Sequence, residues 1–237
     1  MKYYWEVHYE KEIMKIRKNN VLLYGPTGCG KTYILQKLAE LMNVPFHIAD
    51  ASLITEASYK GNDIEGIISG LYQAAGKDIK KTEKGIIFLD EFDKLSSRFK
   101  IIENNDKPTA EDFVKYGFVR ELIGRLPAIV GVEALTIQDL IDILEKAEGS
   151  ILKKYVTVFD KLYNVKLEFT KEAIVEIAKQ AYNKGIGARG LNSIVGDLVQ
   201  ELMYEAPSNP AITGCCITTE VVKKIAEPQI IYYEDER

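Results

Sequence analysis

Gly25, Gly30, Lys31 and Thr32 stand in the spacing G-x-x-x-x-G-K-[ST]. That pattern is phosphate-binding chemistry when a strand precedes it and a helix follows. Pro26, Thr27, Gly28 and Cys29 complete the loop, and its glycines let successive N–H groups turn inward onto phosphate oxygens. In such a loop Lys31 reaches the β- and γ-phosphates of a nucleotide and Thr32 binds Mg²⁺. The following helix aims its positive end at the same place. A Gly-rich turn before a helix is the plainer alternative, but the apolar Val21-Leu22-Leu23-Tyr24 in front and the amphipathic stretch behind supply the required context.

A second group lies downstream. Ile86-Ile87-Phe88-Leu89 is a continuous apolar run, as expected of a strand buried on both faces of a parallel sheet. Asp90 and Glu91 stand at its carboxyl end, where open α/β sheets place their ligand chemistry. Asp90 is suited to order the Mg²⁺ shell and Glu91 to polarise a water attacking the γ-phosphate. Paired carboxylates at a strand end are often solvated caps, but after a phosphate loop the catalytic reading is favoured.

Three single positions carry weaker signals. Arg125 sits in Gly-Arg-Leu-Pro at a helix end, where a cation is mildly stabilising by itself. The same position also suits an arginine finger, stabilising γ-phosphate charge in a neighbouring subunit. Arg189 opens a long helix after Lys-Gly-Ile-Gly-Ala; a cation at that positive end is unfavourable, and a bound phosphate would offset it. Tyr59, beside Lys60, belongs to a polar loop ending in Gly61. It is either an exposed contact residue or a tyrosine folded back on the core.

The elements that must position these residues follow from hydrophobic periodicity. Residues 1–18 form an aromatic, charged lead-in. Strands are expected over 21–24, 45–49, 86–89 and 128–132. A helix over 31–42 carries Ile34, Leu35, Leu38, Leu41 and Met42 on one face. Asp63 caps another, striped by Ile64, Ile67, Ile68, Leu71 and Ala75. A helix over 118–126 stops at Pro127, and Thr136 with Asp139 starts the next. Beyond Gly149 the pattern becomes mixed: helices over 151–163, 171–183 and 188–205, a strand over 165–169, and short strands over 215–218 and 230–233 around a last helix, 219–226. The fold class is α/β. A nucleotide-binding core over 19–133 with a parallel sheet is followed by a smaller α+β domain over 134–237.

Composition narrows the function. The 237 residues carry a net charge of −4, with 28% charged and 46% hydrophobic residues. No basic stripe marks a nucleic-acid surface, and no apolar run is long enough to span a bilayer. The amino terminus has no apolar h-region, so secretion is not expected. Three cysteines without a C-x-x-C pair fit a reducing, cytoplasmic setting and argue against structural zinc.

Together these motifs resemble the Clp/HSP100 AAA+ ATPases, closest to the ClpX type of unfoldase. Leu-Leu-Tyr-Gly-Pro-Thr-Gly-Cys-Gly-Lys-Thr and Val-Pro-Phe-His-Ile-Ala-Asp-Ala are similar to that family's first two strands. Residues 53–65 resemble its first pore loop, 85–94 its Walker B segment, 113–127 its arginine-finger helix, and 185–195, with Gly-Ile-Gly-Ala-Arg-Gly-Leu, its sensor-2 motif. The resemblance covers most of the chain. It implies a ring, usually of six copies, with ATP sites between neighbours. Lys31, Thr32, Asp90, Glu91 and Arg189 would act within one subunit and Arg125 on the next. Tyr59 and Lys60 would grip a polypeptide in the central pore as ATP turns over.

Three departures accompany the resemblance. The zinc-binding amino-terminal domain of the ClpX type has no counterpart in residues 1–237, so adaptor docking through it is not expected. The short segment before the first strand lacks the Val-Ile-Gly-Gln adenine-side motif. Only residues 95–112 fill the place of a long stretch that holds a helix, a second pore loop, the sensor-1 strand and the peptidase-docking Ile-Gly-Phe loop, so a peptidase partner is in doubt. A replacement strand over 99–103, with Asn104 near the phosphates, is disfavoured, because a parallel crossover needs a dozen or more residues. The loss should leave either a gap or a repaired sheet in which strand 21–24 pairs directly with strand 86–89. Two rival functions stay open: a hydrolysis-deficient nucleotide-binding remnant that assembles with or regulates a complete ring, and a nucleic-acid AAA+ motor, which salt-sensitive DNA binding would reveal.

Overall fold

A computed structural model describes residues 19–51, 62–95, 108–115, 117–147 and 149–233. In the amino-terminal half β1 (Val21–Tyr24) leads through the phosphate loop to α1 (Lys31–Met42) and β2 (Phe46–Asp50). Then come α2 (Asn62–Ala74), α3 (Ile79–Thr82), β3 (Ile86–Asp90), a 3₁₀ turn over Phe92–Leu95, α4 (Ala110–Lys115), α5 (Arg120–Ile123) and β4 (Ala128–Gly131). Asn43 ends α1 in the left-handed conformation, its N–H turned back to the carbonyls of Ala39 and Glu40, as an αL C-terminal residue does.

The strands pair in twos. β1 runs parallel to β4 with Val21 opposite Ala128, and β2 runs parallel to β3 with Phe46 opposite Ile86. Among the described residues no strand joins the two pairs. Of the two outcomes expected from the shortened segment, the repaired pairing of β1 with β3 is not observed; among the described residues the two pairs stay separate.

The separation of the two pairs is accompanied by thin burial in this half. Leu22, Phe113, Phe118 and Ile123 form a small core, with Phe92 stacked on Phe118 at 5.7 Å between ring centroids. The apolar face expected on α1 is largely in solvent: Ile34, Leu38 and Leu41 are exposed and only Ala39 is buried. Ile87 is 39% exposed, so β3 is not the doubly buried strand its composition suggests.

The carboxyl-terminal half packs well. It comprises α6 (Ile137–Glu145), α7 (Ile151–Val158), a π-helical turn over Phe159–Tyr163, β5 (Lys166–Phe169), α8 (Lys171–Asn183), α9 (Ala188–Glu205), β6 (Ile212–Ile217), α10 (Thr219–Val222) and β7 (Gln229–Tyr232). β6 lies between β5, to which it is parallel, and β7, to which it is antiparallel. Leu140, Leu144, Phe159, Ile177, Leu191, Val195, Val199 and Ile217 are fully buried in one apolar cluster. Burial pushes the Cys215 thiol up to about 11, which leaves it a packing residue rather than a nucleophile.

Several expected boundaries move. Asp63 lies inside α2, which begins at Asn62. The helix expected over 118–126 is a single turn, α5, because Gly117, at φ +99°, and Pro127 bound too short a stretch. The last helix stops at Val222 instead of 226.

Thr136 and Asp139 form a reciprocal capping box at α6: the Thr136 hydroxyl accepts from the Asp139 N–H, and Asp139 accepts from the Thr136 N–H at 2.8 Å. The Thr136 backbone N–H, then its hydroxyl, hold the Asp139 carboxyl below its ordinary value. That contribution is present above the ordinary carboxylate range and is lost as pH falls through the lowered pKa. Thr136→Ala is expected to destabilise the protein by about 1 kcal/mol, read as a lowered denaturant midpoint at unchanged m-value.

Candidate functional site

The phosphate loop leaves β1 at Gly25 and enters α1 at Lys31. Gly25, Gly28 and Gly30 all have positive φ, at 151°, 77° and 92°. α1 has no acidic residue in its first turn and no side-chain cap, so its first N–H groups are left for the loop and what the loop holds. The Lys31 ammonium donates to the carbonyls of Gly25 and Pro26, both at 2.8 Å, and lies 3.8 Å from the Cys29 sulfur. Cys29 is buried beneath the loop.

The carboxylates stand at the end of β3. Asp90 accepts from the Glu91 N–H at 2.9 Å, and Glu91 takes a left-handed φ of 53°. That conformation costs a non-glycine residue about 1–2 kcal/mol; here it turns the chain out of the strand at the position of the acid. Two neighbours escaped sequence reasoning. Asp50 ends β2 in direct register with Asp90, one residue beyond the expected strand end. Lys94 pairs with Glu91. Its hydrogen bond to Glu91, helped by the charges of Glu91, Asp50 and Asp93, raises its pKa. The three-residue spacing of Glu91 and Lys94 was the available signal.

The carboxyl-terminal half reaches the loop through α9. Its amino-terminal residue Gly187 supplies no side-chain cap, and α9 has no acid in its first turn. The Ala188 N–H donates to the Gly28 carbonyl at 3.1 Å. The approach is close: a Cβ on Gly28 would lie 2.2 Å from the Ile186 carbonyl oxygen, and one on Gly187 would lie 2.6 Å from the Gly28 carbonyl oxygen. Arg189, exposed, follows on the first turn of this helix.

Arg125 is exposed on the turn after α5, and its carbonyl accepts from the Asn20 side chain at 3.2 Å, tying that turn to the start of β1. The structure thus brings the Gly28 turn of the loop and the start of α9 together, places Asp90 and Glu91 at and just past the carboxyl end of β3, and leaves Arg125 exposed. Tyr59 and Lys60 lie outside the described residues, as do 99–103 and Asn104.

Comparison with known proteins identifies the lineage. Residues 21–125 match the family described as ATPase family associated with various cellular activities, AAA, and residues 135–221 match the C-terminal, D2-small domain of ClpB protein. A relative from Treponema denticola, an ATP-dependent Clp protease ATP-binding subunit ClpX, is 36% identical over 81% of this chain and 67% of its own length. This chain belongs to the ClpX-like AAA+ ATPases. A second such subunit, ClpX 2 of Wolinella succinogenes, is 30% identical over 97% of this chain and 77% of its own length, and one from Borrelia duttonii is 32% identical over 92% and 70%. The fold class expected from sequence, a phosphate-loop α/β core followed by a small carboxyl-terminal α+β part, is that of an AAA+ protein, and ATP is its nucleotide. No described helix is long and apolar enough to cross a membrane.

Proposed function

We propose that this AAA+ ATPase is a ring-forming polypeptide unfoldase whose ATP site is closed by its own small domain. The observation that supports it best is the contact of the α9 start with the phosphate loop, through Ala188 and Gly28. A helix end of positive character thereby adjoins the loop that receives phosphates, so that nucleotide binding and small-domain position are coupled. The large domain spans 19–133 and the small domain 134–237. Lys31 holds the β- and γ-phosphates, and the N–H groups of 25–32 line them. Thr32 and Asp90 offer one hydroxyl and one carboxylate, a donor set that fits Mg²⁺, which takes few protein oxygens and completes its shell with phosphates and water. Mg²⁺ supplies charge neutralisation at the transferring phosphoryl group. Glu91 polarises the attacking water, with Lys94 fixing its carboxylate until substrate is present. Arg189 steadies the phosphates from the same chain, and exposed Arg125 reaches those of a neighbour.

In this reading copies of the chain form a ring, six by family habit, in a cytoplasmic setting. Tyr59 and Lys60 face a central pore and grip polypeptide. No peptidase-docking loop is assigned. The break between β1 and β3 favours a second reading, in which the chain binds ATP and joins a complete ring without turning over by itself.

Steady-state Mg-ATP hydrolysis across a protein concentration series separates the two. Turnover per chain that rises with concentration is expected, with Arg125→Ala reducing it about a thousandfold while ATP binding persists. Glu91→Gln is expected to keep ATP binding and slow hydrolysis by about a hundredfold or more. Tight ATP binding with no turnover at any concentration would reject the motor reading in favour of the second.

A further inference from the structure

Aromatic rings join the segments that carry the reacting groups. Tyr24 precedes the first glycine of the phosphate loop, Phe92 follows Glu91, and Phe113 and Phe118 lead into the turn that carries Arg125. Gly117, at φ +99°, folds the chain back after α4, and the Phe118 N–H donates to the Phe113 carbonyl at 3.1 Å. Left-handed glycines end helices in this way. Here the turn also brings Phe113 and Phe118 into contact, edge to face at 6.0 Å. Tyr24 meets Phe113 in the same manner at 6.1 Å. Phe92 lies flat on Phe118, with 5.7 Å between ring centroids and 13° between planes.

The stack of Phe92 on Phe118 connects two segments far apart in the chain. Glu91 has a left-handed φ of 53°, and its N–H donates to the Asp90 carboxylate at 2.9 Å. A non-glycine residue keeps such a conformation only where its surroundings fix it. Asp90 fixes it on one side. On the other, half-buried Phe92 is packed against the core of Leu22, Phe113, Phe118 and Ile123. The same core brackets Arg125: buried Ile123 precedes it, Leu126 follows it, and both pack into the cluster. One apolar cluster therefore bears on the backbone of both Glu91 and Arg125. Rings suit this task, since each offers broad contact with few rotamers, and a displacement in a packed cluster is passed on rather than absorbed.

We propose that Phe92 and Phe118 are positioning residues for ATP hydrolysis. Their stack sets the angle at which Glu91 leaves β3 and ties it to the Arg125 turn. The acid that serves the chain's own ATP site and the cation offered to the next subunit's site then move as one body. The functional part of this assignment rests on the roles proposed for Glu91 and Arg125; the mechanical link between the two segments does not.

The test is site-resolved amide exchange and Mg-ATP turnover on the full chain carrying Phe92→Leu, which keeps an apolar side chain and removes the ring. The Gly124 and Leu126 N–H groups, which donate to the Arg120 and Ile123 carbonyls, should exchange about tenfold faster, with Leu140 in α6 unchanged. Phe118→Leu should speed exchange of the Lys94 N–H, which donates to the Glu91 carbonyl at 2.9 Å, to a similar degree. Turnover in Phe92→Leu should fall about tenfold at unchanged KM for ATP; that is about 1.4 kcal/mol, within what a ring pair contributes. Phe92→Tyr, which keeps the ring, should show neither change, and Phe92→Leu should slow Glu91→Gln no further. Unmoved exchange at Gly124 and Leu126 would overturn the proposal, because the stack would then carry nothing to Arg125. Equal acceleration at Leu140 would overturn it too, leaving Phe92 a core residue only. Full additivity of Phe92→Leu with Glu91→Gln would reject the positioning of Glu91. Wild-type turnover in Glu91→Gln would instead remove the role of Glu91 itself, and the exchange data would still decide whether the stack joins the two segments.

Discussion

Lys31→Ala is expected to weaken ATP binding by about a hundredfold or more, measured by calorimetry or by displacement of a fluorescent nucleotide. The Lys31 ammonium is the one cation hydrogen-bonded inside the loop among the described residues, at 2.8 Å from each of two loop carbonyls. Exchanging those contacts for phosphate oxygens gives two or more charge-assisted bonds, each worth roughly 1.5–3 kcal/mol, and about 1.4 kcal/mol is a factor of ten. The side chain is only part-buried, so the substitution should leave the fold intact: an unchanged circular dichroism spectrum with lost ATP binding is the expected pair of results. Undiminished ATP affinity in Lys31→Ala would mean that the loop does not hold the phosphates.

Gly28→Ala should disable the site by a different route. A Cβ there meets backbone on the far side, the Ile186 carbonyl oxygen at 2.2 Å and its carbon at 2.9 Å, with φ at +77°. Neither neighbour is a flexible side chain that could swing aside. Left-handed backbone alone costs a substituted residue about 1–2 kcal/mol, and forced overpacking adds roughly 1–3 kcal/mol. Gly30→Ala is the natural comparison. It also has positive φ, at +92°, but its Cβ would meet nothing within 4 Å. Gly28→Ala is therefore expected to lower ATP affinity and turnover about tenfold further than Gly30→Ala, and to lower the melting temperature more. Equal losses would show that the approach of residues 186–187 to the loop contributes nothing, and would remove the main support for closure by the small domain.

The local chemistry was legible because its causes are local. The loop spacing, the strand before it and the helix after it lie within a stretch of 22 residues, Val21–Met42. Helix starts at Thr136 and Thr170 follow from a side-chain oxygen and the N–H three residues on; the stop at Asn43 follows from one residue's tolerance of the left-handed region. The long helix α9 fell at its expected bounds because a glycine opens it and its buried face repeats without interruption. Amphipathicity, in contrast, misled at α1. The stripe of Ile34, Leu38 and Leu41 is real in the sequence, yet it is exposed, because a helix buries its apolar face only where another layer packs against it.

By itself, then, the sequence determined the phosphate loop, the strand-end acids, the family resemblance and the likeness of the carboxyl-terminal half to a small α+β unit. It also narrowed the consequence of the shortened segment to two sheets, one broken and one repaired. Tertiary structure decided between them, and it alone placed Asp50 beside Asp90 and Gly187 against Gly28. The reason is physical. A cap, a turn or a phosphate loop is set by groups a few residues apart, whereas strand order and the meeting of two glycines more than 150 positions apart depend on hydrogen bonds and excluded volume between segments that no spacing rule connects.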